Sequence, residues 1–107
     1  MIMARRCFKV SSLKFRFNRY QTTTREKSIF VCEGLNTYLK KYASNTKLKK
    51  HYVQVEEGDI VVFVELSKKI SLNTVINIID QMYAKTGEEL SIGYLELREI
   101  VTVSILR

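Results

Sequence analysis

Five consecutive apolar residues, Ile60-Val61-Val62-Phe63-Val64, constrain this chain more than any other stretch. β-Branched and aromatic residues favour extended backbone, in which successive side chains point to opposite faces. A strand that is apolar on both faces belongs in the middle of a sheet, covered on at least one side. Immediately before it, Glu57-Gly58-Asp59 reads as a turn, with Gly58 supplying a positive φ. Residues 51–56 and 60–66 are therefore expected to form a hairpin.

Around that hairpin the apolar period switches between two and about 3.6. Residues 5–18 read as extended. Phe8 and Val10 share one parity, while Leu13, Phe15 and Phe17 share the other. One extra residue at Ser11-Ser12, a β-bulge, returns all five to one face; a tight turn between two short strands is the alternative. Lys14 and Arg16 then point away from the core. Thr23 followed by Glu26 fits a capping box, and a helix from there runs to about Ala43. Its stripe is Val31, Leu35, Tyr38 and Tyr42, widened by Cys32 and Leu39. Gly34 weakens that helix by roughly 1 kcal/mol relative to Ala. Ser28-Ile29-Phe30-Val31-Cys32 also reads as a short strand by itself.

Ser44-Asn45-Thr46 ends the helix, and Lys47-Leu48-Lys49-Lys50 follows as a basic loop. Ser71 caps a second helix that Gly87 closes, with Leu72, Val75, Ile76, Ile79 and Met82 on its buried stripe and Tyr83 beside them. Residues 90–106 are extended again. Leu95, Leu97, Val101, Val103 and Ile105 alternate with other residues, and Glu99 interrupts the apolar face. No Gly or Pro marks a turn near Arg98-Glu99, which favours one long strand over two.

The order strand, helix, strand, strand, helix, strand predicts an α+β fold. It is a single domain over residues 1–107: a two-layer sandwich of ferredoxin-like βαββαβ topology, with an antiparallel sheet and two helices on one face. If the last segment is a hairpin and the middle one is misread, the order becomes βαβαββ.

Cys7 and Cys32 stand 25 residues apart and there is one histidine, so neither a disulfide framework nor metal spacing is present. No metal or other cofactor is expected. No apolar run approaches the roughly 18 residues of a membrane span, and the N-terminus has no hydrophobic signal region. The first 25 residues lack acids, as transit peptides do, but residues 13–17 alternate at period two rather than at helical period. The expected location is intracellular, cytoplasmic.

Charge carries the functional signal. Residues 1–55 hold 13 Lys/Arg and two acids, a net +11, whereas residues 56–107 hold five Lys/Arg and nine acids, a net −4. No nucleophile, phosphate-loop or zinc-protease motif is present, so an enzyme is not expected. Glu56, Glu57 and Asp59 read as a solvated hairpin tip. The central strand lacks the basic–glycine–aromatic pattern of RNA-recognition motifs. Residues 18–27 lack the glycine of the acylphosphatase loop.

One basic set is Arg5, Arg6, Lys9, Lys14, Arg16, Arg19 and Arg25; a second is Lys40, Lys41, Lys47, Lys49 and Lys50. Such cations bind phosphates with release of counterions. Tyr20, Tyr38, Tyr42 and Tyr52 are interleaved and suit base stacking. The best expectation is non-catalytic binding of RNA or single-stranded DNA through Lys14, Arg16, Arg19, Arg25, Lys40, Lys41, Lys47, Lys49 and Lys50. Thr22, Thr23, Thr24 and Arg25, at a helix start, form a candidate anion site. The alternative is a protein-interaction module, an inhibitor or assembly subunit that docks on an acidic partner or forms a homodimer through a sheet edge.

Overall fold

The computed structural model describes residues 8–18 and 23–106. In chain order they form β1 (Lys9–Asn18), α1 (Thr24–Tyr42), β2 (Leu48–Glu56), β3 (Asp59–Ser71), α2 (Leu72–Tyr83), β4 (Leu90–Leu95) and β5 (Ile100–Ile105). The architecture is α+β: a five-stranded mixed sheet with two helices packed on it. Among the described residues, no helix is long and apolar enough to cross a membrane.

The strand order is β2-β3-β1-β5-β4, which departs from the expected four-stranded antiparallel sheet. Neighbours pair antiparallel except β1 and β5, which are parallel. The departure arises in the last segment, which is two strands rather than one. After β4, a single 3-10 turn over Glu96–Arg98 and Glu99 in left-handed backbone (φ 55°) reverse the chain. β5 then returns into the seat beside β1 and leaves β4 at the edge. The more apolar strand is thus the inner one: Val101 and Val103 are fully buried, while Leu90, Ile92 and Tyr94 of β4 are half-buried. Leu95 and Leu97, expected on the apolar face, are instead exposed at 52% and 96%. The reversal breaks the parity that a single strand would keep.

The core lies between the sheet and the helices. β1 reaches it with Val10, Leu13, Phe15 and Phe17, and β3 with Ile60, Val62, Val64 and Leu66. A register shift between Val10 and Ser12 is the bulge that brings Val10 into phase with the phenylalanines. Its amides are satisfied by Glu99, whose carbonyl accepts from Ser11 N–H at 2.9 Å. In α1 the segment 28–32 is helical, and the buried positions are Val31, Leu35 and Leu39, one per turn. Tyr38 and Tyr42 stack on each other at the flank of that stripe. In α2, Ile78 takes the buried position assigned to Ile76. That helix ends at Tyr83, four residues before Gly87 adopts its positive φ of 70°.

Gly34 has a packing role. A Cβ built there would lie 2.9 Å from Met82 Cε, so the missing side chain is what lets α1 approach α2.

Candidate nucleic-acid interface

Both helices cover one face of the sheet, so the other face is free of helices among the described residues. Its side chains follow from the register. Tyr52, Phe63, Lys14, Thr102 and Gly93 form one row across the five strands. Gln54, Val61, Arg16, Ser104 and Ser91 form the next. On the other side of the first row lie Lys50, Glu65, Ser12, Ile100 and Leu95.

The central feature is the Tyr52–Phe63 pair. The two rings stack with centroids 5.0 Å apart and planes 25° apart. Tyr52 is 42% exposed, on an edge strand. An exposed ring of this kind suits stacking of a base whatever its identity, since every base has a π-face.

Lys14 and Arg16 lie beside the pair, as the period-two reading requires, but they are not bare. Arg16 is clamped by Glu56 at 3.0 Å and by Asp59 at 3.2 Å, and Lys14 lies 3.7 Å from Glu56. Gln54 donates to the other Glu56 oxygen at 2.8 Å. Glu56 and Asp59 are therefore partners of β1 cations, and the solvated-tip reading does not hold for them. Half-exposed pairs such as these add only about 0–1 kcal/mol of stability. Their larger effect is to cancel charge on this part of the face.

The surplus positive charge gathers at the opposite end of the hairpin. Thr46, buried, donates its hydroxyl to Lys68 C=O at 2.8 Å and accepts from Lys68 N–H at 3.0 Å. Lys47 and Ser67 bond reciprocally: Lys47 N–H donates to the Ser67 hydroxyl, and Ser67 N–H to Lys47 C=O, both at 2.8 Å. This staple sets Lys47 beside Lys68, with Lys49, Lys50 and Lys69 adjacent, all exposed. Lys40 and Lys41 lie in the last turn of α1, in the helix layer. Lys49 pairs with Glu65 and Lys69 with Glu99, while among the described residues Lys47, Lys50 and Lys68 have no carboxylate in ion-pair range. Lys50 connects corner to platform, two residues before Tyr52 on the same face.

Of the second basic set, Lys47, Lys49 and Lys50 are brought together and gain Lys68 and Lys69, which the sequence reading left out, while Lys40 and Lys41 stay on the last turn of α1. The first set is dispersed. Arg5, Arg6 and Arg19 lie outside the described residues, as does Thr22. Arg25 and Thr24 sit at the start of α1, about 24 Å from Lys40 and Lys41 at 1.5 Å per residue. Thr23 caps that helix: its hydroxyl accepts from Glu26 N–H at 3.1 Å.

Other chemistry is sparse. Among the described residues, no group of three or more His, Cys, Asp or Glu is placed to hold a metal ion. His51 is exposed on β2 with the helix-side parity, opposite Val64. Burial pushes the Cys32 thiol up, against a smaller lowering effect of its hydrogen bond with Ser28. That favours thiol over thiolate and makes it a poor nucleophile. No protein-family model matches the chain, and no curated protein or solved structure matches it either.

Proposed function

We propose that this chain is a small, non-catalytic binding protein for single-stranded nucleic acid, RNA or single-stranded DNA. The supporting observation is the stacked Tyr52–Phe63 pair on the helix-free face, adjoining the Lys47–Lys50–Lys68 corner. In this reading the phosphates follow the basic corner while one or two bases stack on the aromatic pair. A duplex keeps its bases in the stack and gains only the electrostatic part.

Fluorescence anisotropy with single-stranded RNA, single-stranded DNA and duplex DNA, titrated from low to moderate salt, tests this. Tyr52→Ala should weaken single-strand binding by about 1–3 kcal/mol and leave duplex binding nearly unchanged. Lys47→Glu with Lys50→Glu should weaken all three ligands and flatten the salt dependence. If Tyr52→Ala leaves single-strand affinity intact, the platform is not a binding site. Equal, low-salt-only binding of all three ligands would reduce the positive charge to generic polycation behaviour.

A further inference from the structure

The two edges of the sheet are built differently. β2 carries Lys49, Lys50, His51 and Glu56 and has a register shift between Leu48 and Lys50. Charges and bulges on an edge strand discourage pairing with another chain. β4 has neither. It reads Leu-Ser-Ile-Gly-Tyr-Leu, without charge or proline, and pairs with β5 in unbroken register along its length. Among the described residues, no strand pairs with its outer side.

This edge is also held ready. At one end Leu106 N–H donates to Glu89 C=O at 2.8 Å. At the other the Tyr94 hydroxyl donates to Lys9 C=O at 2.7 Å, and its ring packs edge-on against Phe8 at 5.6 Å. Most of the ordering that strand addition demands is therefore complete before a partner arrives. Apolar side chains wait on both faces: Ile92 and Tyr94, half-buried, on the helix side, and Leu95 on the other.

We propose that β4 is a self-association edge, to which a second copy of this chain adds its own β4 antiparallel about a two-fold axis. The result is a continuous ten-stranded sheet. Charge argues for this place, and the charges flanking β4 argue for a second copy. Two chains of net charge +7 repel, and a neutral strand is where like copies can meet at least cost. Arg98 follows one end of β4 while Glu88 and Glu89 precede the other, so antiparallel pairing sets opposite charges against each other at both ends. Glu96 and Glu99, the other acids there, are already engaged within their own chain, Glu99 by Lys69 at 2.7 Å.

Parity restricts the register. Opposed residues must lie on the same face, so the axis passes through a residue, not between two. Centring on Gly93 puts Tyr94 opposite Ile92 and Leu95 opposite Ser91. A Cβ at Gly93 would meet nothing within 4 Å and its φ is not positive, so the chain's own fold does not require glycine there. Close approach of a second backbone does favour it.

The inference is independent of nucleic-acid binding, and its test contains none. Sedimentation of the full chain over a wide concentration range should show a dimer. Ser91→Lys with Gly93→Lys should raise the dimer dissociation constant at least about tenfold while the far-ultraviolet circular dichroism stays unchanged. Gly93→Cys should give, on oxidation, a covalent dimer beyond any formed by the wild-type cysteines. A wild-type chain that stays monomeric overturns the proposal, as does a dimer indifferent to the paired lysines. Should the lysine variant unfold, absence of the Gly93→Cys cross-link overturns it instead.

Discussion

Glu99 decides the topology of the carboxyl-terminal half. A left-handed conformation costs an L-residue roughly 1–2 kcal/mol. Three contacts offset that cost here. Its N–H donates to Glu96 C=O at 3.2 Å, its carbonyl accepts from the bulge residue Ser11, and its carboxylate lies 2.7 Å from Lys69 Nζ. Glu99→Gly should leave stability within about 0.5 kcal/mol of wild type, since backbone relief offsets the lost ion pair. Glu99→Val should cost about 2 kcal/mol, because a β-branched side chain tolerates φ > 0 poorly. Urea unfolding of the three proteins checks this. Equal stabilities for Val and Gly would show that the backbone conformation is not what matters there. Tyr83 gives a second prediction at the same scale. Burial holds its phenol well above the ordinary value of 10, and the charge of Glu88 adds to the effect. The folded state therefore favours the protonated phenol. That contribution is complete below about pH 10 and is lost as pH rises further, by up to about 1.4 kcal/mol per pH unit. Tyr83→Phe keeps the edge-to-face contact with Phe30 at 5.2 Å and should lose less stability between about pH 9 and 11. Identical alkaline limbs for the two proteins would contradict the burial argument.

At the scale of elements, the sequence was most legible where a turn had no freedom. Glu57 and Gly58 both have positive φ, 51° and 81°, which makes a two-residue hairpin turn. Such a turn fixes the pairs from Glu56–Asp59 out to Lys50–Glu65, Tyr52 opposite Phe63 among them, whereas the expected turn over Glu57-Gly58-Asp59 is one residue too long to give that register. The shift between Leu48 and Lys50, beyond which Lys47 bonds Ser67, does not follow from the turn. The β4–β5 reversal was hidden because a charged residue, Glu99, occupies the backbone conformation usually left to glycine. Nothing in Leu95-Glu96-Leu97-Arg98 separates a continuing strand from a 3-10 turn by period alone. The role of Gly34 is hidden in the sequence for a related reason. Helix propensity counts it as a defect, whereas tertiary packing uses it. Gly34→Val should therefore destabilise by about 1–3 kcal/mol, since overpacking against Met82 outweighs the gain in helix propensity. A raised denaturation midpoint would mean that Met82 moves aside freely.

Across the whole molecule, the charge asymmetry along the chain does not survive folding in the same form. The topology seats β1, from the cationic half, between β3 and β5, from the acidic half. Glu56 and Asp59 thereby reach back over Lys14 and Arg16, and the positive excess is displaced to the Lys47–Lys68 corner. Under the proposed function, the clamp would limit how far along the sheet a nucleic acid runs. Replacing Glu56 by Gln and Asp59 by Asn keeps size and hydrogen-bonding shape but frees both cations. Folding stability should change by less than about 1 kcal/mol, because exposed and half-exposed pairs contribute little. Single-strand affinity should rise. Its logarithmic salt slope should steepen by about 0.7 for each freed cation that meets a phosphate, hence about 1.4 if Lys14 and Arg16 both do. Adding Tyr52→Ala to that background separates the two contributions: the affinity should fall while the steeper slope remains, since stacking releases no counterions. A slope unchanged by the Gln/Asn pair would confine the phosphate path to the corner and leave Lys14 and Arg16 as structural partners of the hairpin alone.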